Sequence, residues 1–210
     1  MKARRTIALA TAIGFVATLS PAGLYASAEP PTTQFTVSQI ESFPEGRYPL
    51  LGLEIPDNAL IRKYRQQYTT ADGIKYLSSV MRRSSPYRDF IIEEIRRQDA
   101  PECLLYLPVI ESGFSVGAIS RSGATGIWQF MRNSVGGYGI RINEWMDERR
   151  DPWLATAAAI KKLKDNYREL KDWNLALAAY NCGLGGVRKA IKKGGSRDYW
   201  YICETGYFKP

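Results

Sequence analysis

The sequence predicts an all-α fold in a single domain. Three observations carry that expectation. Apolar residues recur at helical spacing from Pro56 onward, no run alternates in the manner of a half-buried strand, and Ser, Asp, Pro and Gly stand where helices start and stop. No internal repeat is legible.

The N-terminus lies outside that pattern. Lys2, Arg4 and Arg5 make a basic leader, Ile7 to Leu19 is an apolar run too short to span a bilayer comfortably, and Ala26-Ser27-Ala28 is an A-x-A cleavage pattern. Residues 1–28 therefore read as a signal peptide and the protein as periplasmic, with no integral membrane segment in the mature chain. Residues 29–55, rich in Pro, Thr, Ser and Gly, read as a linker, which leaves 56–210 as the folded domain.

Within that domain, "PDNALIRKYRQQY" puts Leu60, Ile61, Tyr64 and Tyr68 at helical spacing. Asp72 reads as the cap of a second helix carrying Ile74, Leu77, Val80 and Met81. Ser85-Pro86 has the signature of an N-cap followed by proline, with Phe90, Ile91 and Ile95 on the inner face. Pro101 opens "PECLLYLPVIES", which runs into Glu111. "GATGIWQFMRNSVGGYG" reads as a short helix bounded by glycines. Asp151-Pro152 caps a long helix with Ala157, Ile160, Leu163, Tyr167 and Leu170 inward. Asp172 caps "WNLALAAYN", Gly183 ends it, and a last helix follows at "GGVRKAIKK".

Composition removes several kinds of chemistry. The chain has no histidine, which excludes a Ser-His-Asp triad, a Cys-His pair and His-based metal sites. No phosphate-binding or dinucleotide glycine fingerprint is present. No cofactor and no metal are expected. The three cysteines, Cys103, Cys182 and Cys203, form no C-x-x-C, and their spacing leaves open one bridge with one free thiol, or none. The formal charge of +8 falls to about +5 once the three basic leader residues are removed. That excess fits an anionic polymer as well as simple solubility, and export argues against nucleic acid as the partner.

With histidine absent, carboxylates, tyrosines or lysines must move protons. Glu111 ends the apolar run "CLLYLPVI" and is either a solvated helix-end residue or an acid in a poorly hydrated place. Flanked by Val109, Ile110 and Phe114, it would lose hydration, which raises a carboxyl pKa and keeps a proton available near neutrality. Gly123 and Gly126 allow close backbone approach. Gln129 offers an amide to a ligand, and the hydroxyl of Tyr180 can reach a carboxyl. Asp147, Glu148 and Asp151 are rival carboxylates, with Arg149 and Arg150 as natural partners of the first two and a capping role for the third. Tyr138, Trp128, Trp145 and Trp153 fit either a sugar groove or the core.

Four blocks, "PVIESGF", "SRSGATGIWQFM", "YGIRINEWMDERRDPWLATAAAIKKLK" and "DWNLALAAYNCGLGGVRKAI", occur in this order. Together they resemble the family 1 lytic transglycosylases of the soluble-lytic-transglycosylase type, most of all the membrane-bound lytic murein transglycosylase D-like subgroup, over about residues 56–205. The resemblance implies a lysozyme-like, goose-type helical domain with additional N-terminal helices, acting as a monomer on peptidoglycan glycan strands. It implies Glu111 as the single catalytic acid, and Ser112, Gln129, Tyr180 and Asn181 as substrate-binding residues. The implied reaction cleaves the MurNAc-β-1,4-GlcNAc bond without water and leaves 1,6-anhydromuramoyl ends. A lysozyme-type hydrolase on the same fold, and a wall-binding protein without turnover, are the alternatives. The chain departs from the family pattern at Cys182, read as a small packed residue, at Leu184 in place of a proline, and at "SVGAIS", which lacks an asparagine-proline pair.

Overall fold

The computed structural model describes residues 56–208, so the leader, the linker and the last two residues lie outside the described part. Seven α-helices are present among the described residues: α1 Ala59–Thr69, α2 Ala71–Ser84, α3 Arg88–Arg97, α4 Leu107–Glu111, α5 Pro152–Leu170, α6 Trp173–Gly194 and α7 Tyr199–Glu204. No strand is named among them, and β structure is confined to isolated bridges. The expectation of an all-α domain holds.

Local chemistry explains most helix starts. Asn58 caps α1 by accepting from the Ile61 N–H at 2.9 Å, and Ile61 is buried. The cap of α2 is Thr70, not Asp72: Thr70 is extended, and its hydroxyl accepts from the Gly73 N–H at 3.0 Å. Asp72 falls in the first turn, where a carboxylate complements the helix dipole. The Ser85-Pro86 signature also misleads. Ser85 keeps helical dihedrals at the end of α2, the two residues form the turn to α3, and Tyr87 occupies the cap position without a side-chain bond. Ile91 and Ile95 are fully buried, as their spacing requires.

A 3-10 turn, Glu102–Tyr106, delivers the chain into α4, and everything from Cys103 to Val109 is buried. The short helix expected over Gly123–Gly139 does not form. Thr125 and Phe130 exchange both backbone hydrogen bonds instead, closing a tight loop, and only 3-10 turns follow at Arg132–Ser134 and Gly136–Tyr138. Asp151 then caps α5 through the Trp153 and Leu154 N–H groups, and Asp172 caps α6 through that of Leu175. Gly183 (φ 81°, ψ 156°) breaks α6 into two arms, a conformation open to glycine alone at low cost. The sequence gives no warning of α7, which Asp198 caps.

Two apolar clusters hold these elements. The larger joins α2, α3, α4, α5 and the first arm of α6, with Ile91, Leu104, Leu107, Trp128, Ile160 and Leu177 at its centre. The smaller gathers Leu170, Leu175, Val187, Tyr199, Ile202 and Phe208, and Leu60 and Tyr64 of α1 pack on it. Removing this apolar surface from water stabilises the fold by about 25 cal/mol per Å². The larger cluster forms the floor beneath Glu111.

Candidate active site

Glu111 is the last residue of α4, half-buried between the fully covered Val109 and Phe114. Helix α2 braces the backbone on both sides of it. Tyr76 donates from Oη to the Val109 carbonyl at 3.1 Å, and Arg83 donates from Nε to the Gly113 carbonyl at 2.8 Å. A helix end carries unpaired carbonyls, and these two bonds satisfy carbonyls beside the acid.

Glu111 opens onto a cleft of about 520 Å³. Its first wall is the loop region between α4 and α5. Gly126 has φ +80°, and a Cβ there would lie 1.9 Å from the Arg149 carbonyl oxygen, so only glycine fits. Arg149 is buried and organises this wall. It grips Asp147 through Nε (2.9 Å) and Nη2 (2.6 Å), while Nη1 donates to the Gly123 and Phe130 carbonyls at 2.9 and 3.1 Å. The Arg149 guanidinium holds the Asp147 carboxyl below its ordinary value. Gln129 is thereby set at the cleft in a left-handed conformation (φ +48°), rare for a residue with a Cβ. Its amide nitrogen donates to the Gly126 and Ala118 carbonyls at 3.0 and 3.3 Å. The amide carbonyl is therefore what Gln129 can offer a ligand. Ser112 donates to the Ile127 carbonyl at 2.9 Å, tying the end of α4 to this loop, and it does not line the cleft.

The second wall is helical. Helix α5 contributes Lys162 and Asn166, and α6 contributes Tyr180, Asn181, Cys182 and Gly183. Asn166 donates to the Ala176 carbonyl at 3.2 Å and binds the two helices together. Tyr180 donates its hydroxyl proton to the Trp128 carbonyl at 2.9 Å, which joins the helical wall to the loop wall. With that proton committed, Tyr180 can offer a carboxyl only its lone pairs, so it suits the protonated form. Burial pushes Tyr180 well above its ordinary value, and the nearby Glu111 carboxylate adds to the effect. Lys162 is pushed down by burial and pulled back up by Glu111.

The rival carboxylates face elsewhere. Asp147 is held by Arg149 as expected. Glu148 pairs with Arg141 rather than Arg150, accepting from both its Nε and its backbone N–H at 2.7 Å. Asp151 is the α5 cap. The candidate groove aromatics separate by environment. Trp128 is fully buried and donates to Thr156 at 2.8 Å, so it belongs to the core. Trp145 is 94 % exposed, and Trp153, 50 % exposed, packs edge-on against Tyr87 and Phe90. Tyr138 does line the cleft, and burial and the Asp165 carboxylate push its hydroxyl up. All three cysteines are free thiols. Cys182 is exposed at the cleft rather than packed, because the break at Gly183 turns it out of the helix interface.

Of the residues singled out from sequence, the cleft brings together Glu111, Gln129, Tyr180 and Asn181, while Ser112 stands just behind them. Lys162, Asn166 and Arg149 were not singled out as site residues. A signal for the first two existed: Ala155, Ala159, Lys162 and Asn166 share one face of α5, so a charge and an amide interrupt a buried stripe.

Among the described residues, an all-α domain carries a cleft lined by one carboxylic acid, an arrangement in keeping with a lysozyme-like fold. Residues 89–203 match the transglycosylase SLT domain family, and the chain belongs to it. Over 157 residues it is 36 % identical to the membrane-bound lytic murein transglycosylase D of Escherichia coli (strain K12), an overlap covering 72 % of this chain and 34 % of that protein. The same figures hold for the protein of that name from Escherichia coli O6:H1. A putative tributyltin chloride resistance protein of Alteromonas sp. (strain M-1) is 34 % identical over 110 residues, 52 % of this chain and 53 % of that one. The chain spans about a third of the length of the murein transglycosylases it matches.

Proposed function

We propose that residues 56–210 form the catalytic domain of a peptidoglycan lytic transglycosylase, acting as a monomer on glycan strands in the periplasm after removal of residues 1–28. Residues 29–55 serve as a linker. One observation carries this reading: of the described residues that line the cleft, Glu111 is the one carboxylic acid. Glycosidases that hydrolyse usually need two, one for the leaving group and one for a nucleophile or a water. Here Asp147, Glu148 and Asp151 are engaged with Arg149, Arg141 and the α5 N-terminus.

One acid suffices if it acts twice. Protonated Glu111 gives its proton to the oxygen between MurNAc and GlcNAc, and that bond breaks. The substrate's own N-acetyl group stabilises the positive charge developing at C1. Glu111, now a carboxylate, takes the proton of the muramic acid 6-hydroxyl as that oxygen attacks C1. The 1,6-anhydro ring closes and Glu111 ends protonated again, with no water consumed. Closing the ring within one sugar makes the step intramolecular, worth up to about 7–11 kcal/mol in well-oriented cases.

The other cleft residues take roles that fit their bonds. The Gln129 carbonyl and the Asn181 amide orient N-acetyl groups. Tyr180 accepts from the protonated carboxyl, and Ser112 fixes the loop wall against α4. Mass spectrometry of sacculi digested with the protein tests the assignment: anhydromuramoyl ends are expected. Reducing ends formed with addition of water would identify a hydrolase. Co-sedimentation with sacculi without soluble fragments would identify a binding protein.

A further inference from the structure

We propose that Lys162 is a positioning residue for Glu111: held on the helical wall, its ammonium favours the ionised carboxyl and sets the pH window in which one acid can perform both proton transfers. The inference rests on the role of Glu111 given above.

Among the described residues that line the cleft, Lys162 is the one cation, as Glu111 is the one acid. It occupies the buried stripe of α5, where a lysine has no packing advantage. Its Nζ lies 5.1 Å from the centre of the Tyr180 ring and 5.5 Å from that of Phe130, one ring from each wall. Those distances are within the range of cation–π attraction, which holds the ammonium at the cleft rather than in solvent. The opposing effects on Lys162 have the same meaning: burial disfavours its charge, and Glu111 offsets part of that. By reciprocity the ammonium favours the carboxylate.

Other titratable groups stand on the neighbouring elements. From α6, Tyr180 gives its proton to Trp128. From the 3-10 turn, the Tyr138 hydroxyl is pushed up by burial and by the Asp165 carboxylate. From α2, Tyr76 donates to Val109, and Arg83 donates to Gly113 and Ser79.

The direction of the effect follows. Bond cleavage needs the protonated carboxyl, so the rate falls as pH rises through the Glu111 titration. A cation that shares the cleft with the carboxyl moves that titration down. It assists proton removal from the 6-hydroxyl and confines donation to lower pH. Without the cation, Glu111 keeps its proton to higher pH and the basic limb moves up.

The test compares wild type, Lys162→Met and Lys162→Arg by two readouts: carbon-13 NMR titration of the Glu111 carboxyl, and the pH–rate profile of glycan release from sacculi. Lys162→Met should raise both the titration midpoint and the basic limb by about one unit, the low end of what an adjacent opposite charge does to a carboxyl. Lys162→Arg should restore both. An unshifted midpoint in Lys162→Met overturns the proposal, and a uniform loss of rate at every pH, with the limb unmoved, reduces Lys162 to a packing residue. Lys162→Gln gives the same readout if the methionine variant does not fold. Titration requires no turnover, so wild type that releases no glycan at any pH would defeat the enzymatic reading while the midpoint still decides this one.

Discussion

The helical wall of the cleft is held by apolar burial: Ala155, Ala158 and Ala159 of α5 and Ala176, Ala178 and Ala179 of α6 are all covered, and few polar bonds cross between them. The loop wall is held by polar groups. Arg149 reaches two carbonyls and a carboxylate, Ser112 reaches Ile127, and Tyr180 reaches Trp128. Burial is diffuse, and losing one small side chain is shared among many neighbours. A polar hub is concentrated, and losing it strands every group it served. The two walls should therefore fail differently.

The largest effect belongs to the residue at their junction. Glu111→Gln should fold with an unchanged thermal transition and lose glycan release by about 10²–10⁴-fold, the usual worth of a general acid. Wild-type-like release by that variant would remove Glu111 from the chemistry. Next comes Arg149→Met, which strands the Asp147 carboxylate and two carbonyls. Urea titration should show a loss of about 3–5 kcal/mol, with helical circular dichroism intact below the transition. Helices that fray in step with the loop would erase the distinction between the walls.

Tyr180→Phe sharpens the comparison by cutting the bond between walls. It leaves the Trp128 carbonyl without its donor, so a loss of about 1–3 kcal/mol and slower glycan release are expected, both readable in one preparation. Ala159→Gly probes the helical wall alone. It should cost about 1 kcal/mol, mostly helix propensity, and leave the rate nearly unchanged. The smallest effect is acid sensitivity of the loop wall. Asp147 has a depressed value, so its contribution is complete above about pH 4, the ordinary Asp range, and is lost as pH falls through the depressed value. Hydrogen exchange should show residues 123–130 loosening in acid before α5 and α6, and Arg149→Met should abolish that difference.

The walls also differ in how far they can be read in advance. Caps at Asp151 and Asp172, the inward Ile160, Leu163 and Leu170, and the break at Gly183 follow from short-range rules, because a helix is built from contacts within four residues. The stretch from Gly123 to Gly139 also looks helical by such rules, yet it folds as a closed loop. What decides it is Arg149, some twenty residues away, whose carbonyl leaves no room beside Gly126 and whose guanidinium binds the loop carbonyls. Glu148 finds Arg141 rather than Arg150 for the same reason: the partner is chosen by the path of the loop.

The candidate site divides along the same line. Glu111, Gln129, Tyr180 and Asn181 are marked by their local motifs, and the structure gathers them at one cleft. The destinations of their protons are not marked. That Tyr180 points its hydroxyl at Trp128, that Gln129 spends its amide on two carbonyls, and that Cys182 faces out could not be read from neighbours in the chain.

The sequence by itself determined the helical class, the capped starts of α5 and α6 and the choice of Glu111 as the candidate acid, because capping, periodicity and side-chain chemistry act over a few residues. Only the tertiary structure decided that, among the described residues, Glu111 is the sole acid lining the cleft and that Lys162 shares it. Whether a charge has a partner depends on which distant segments fold against it.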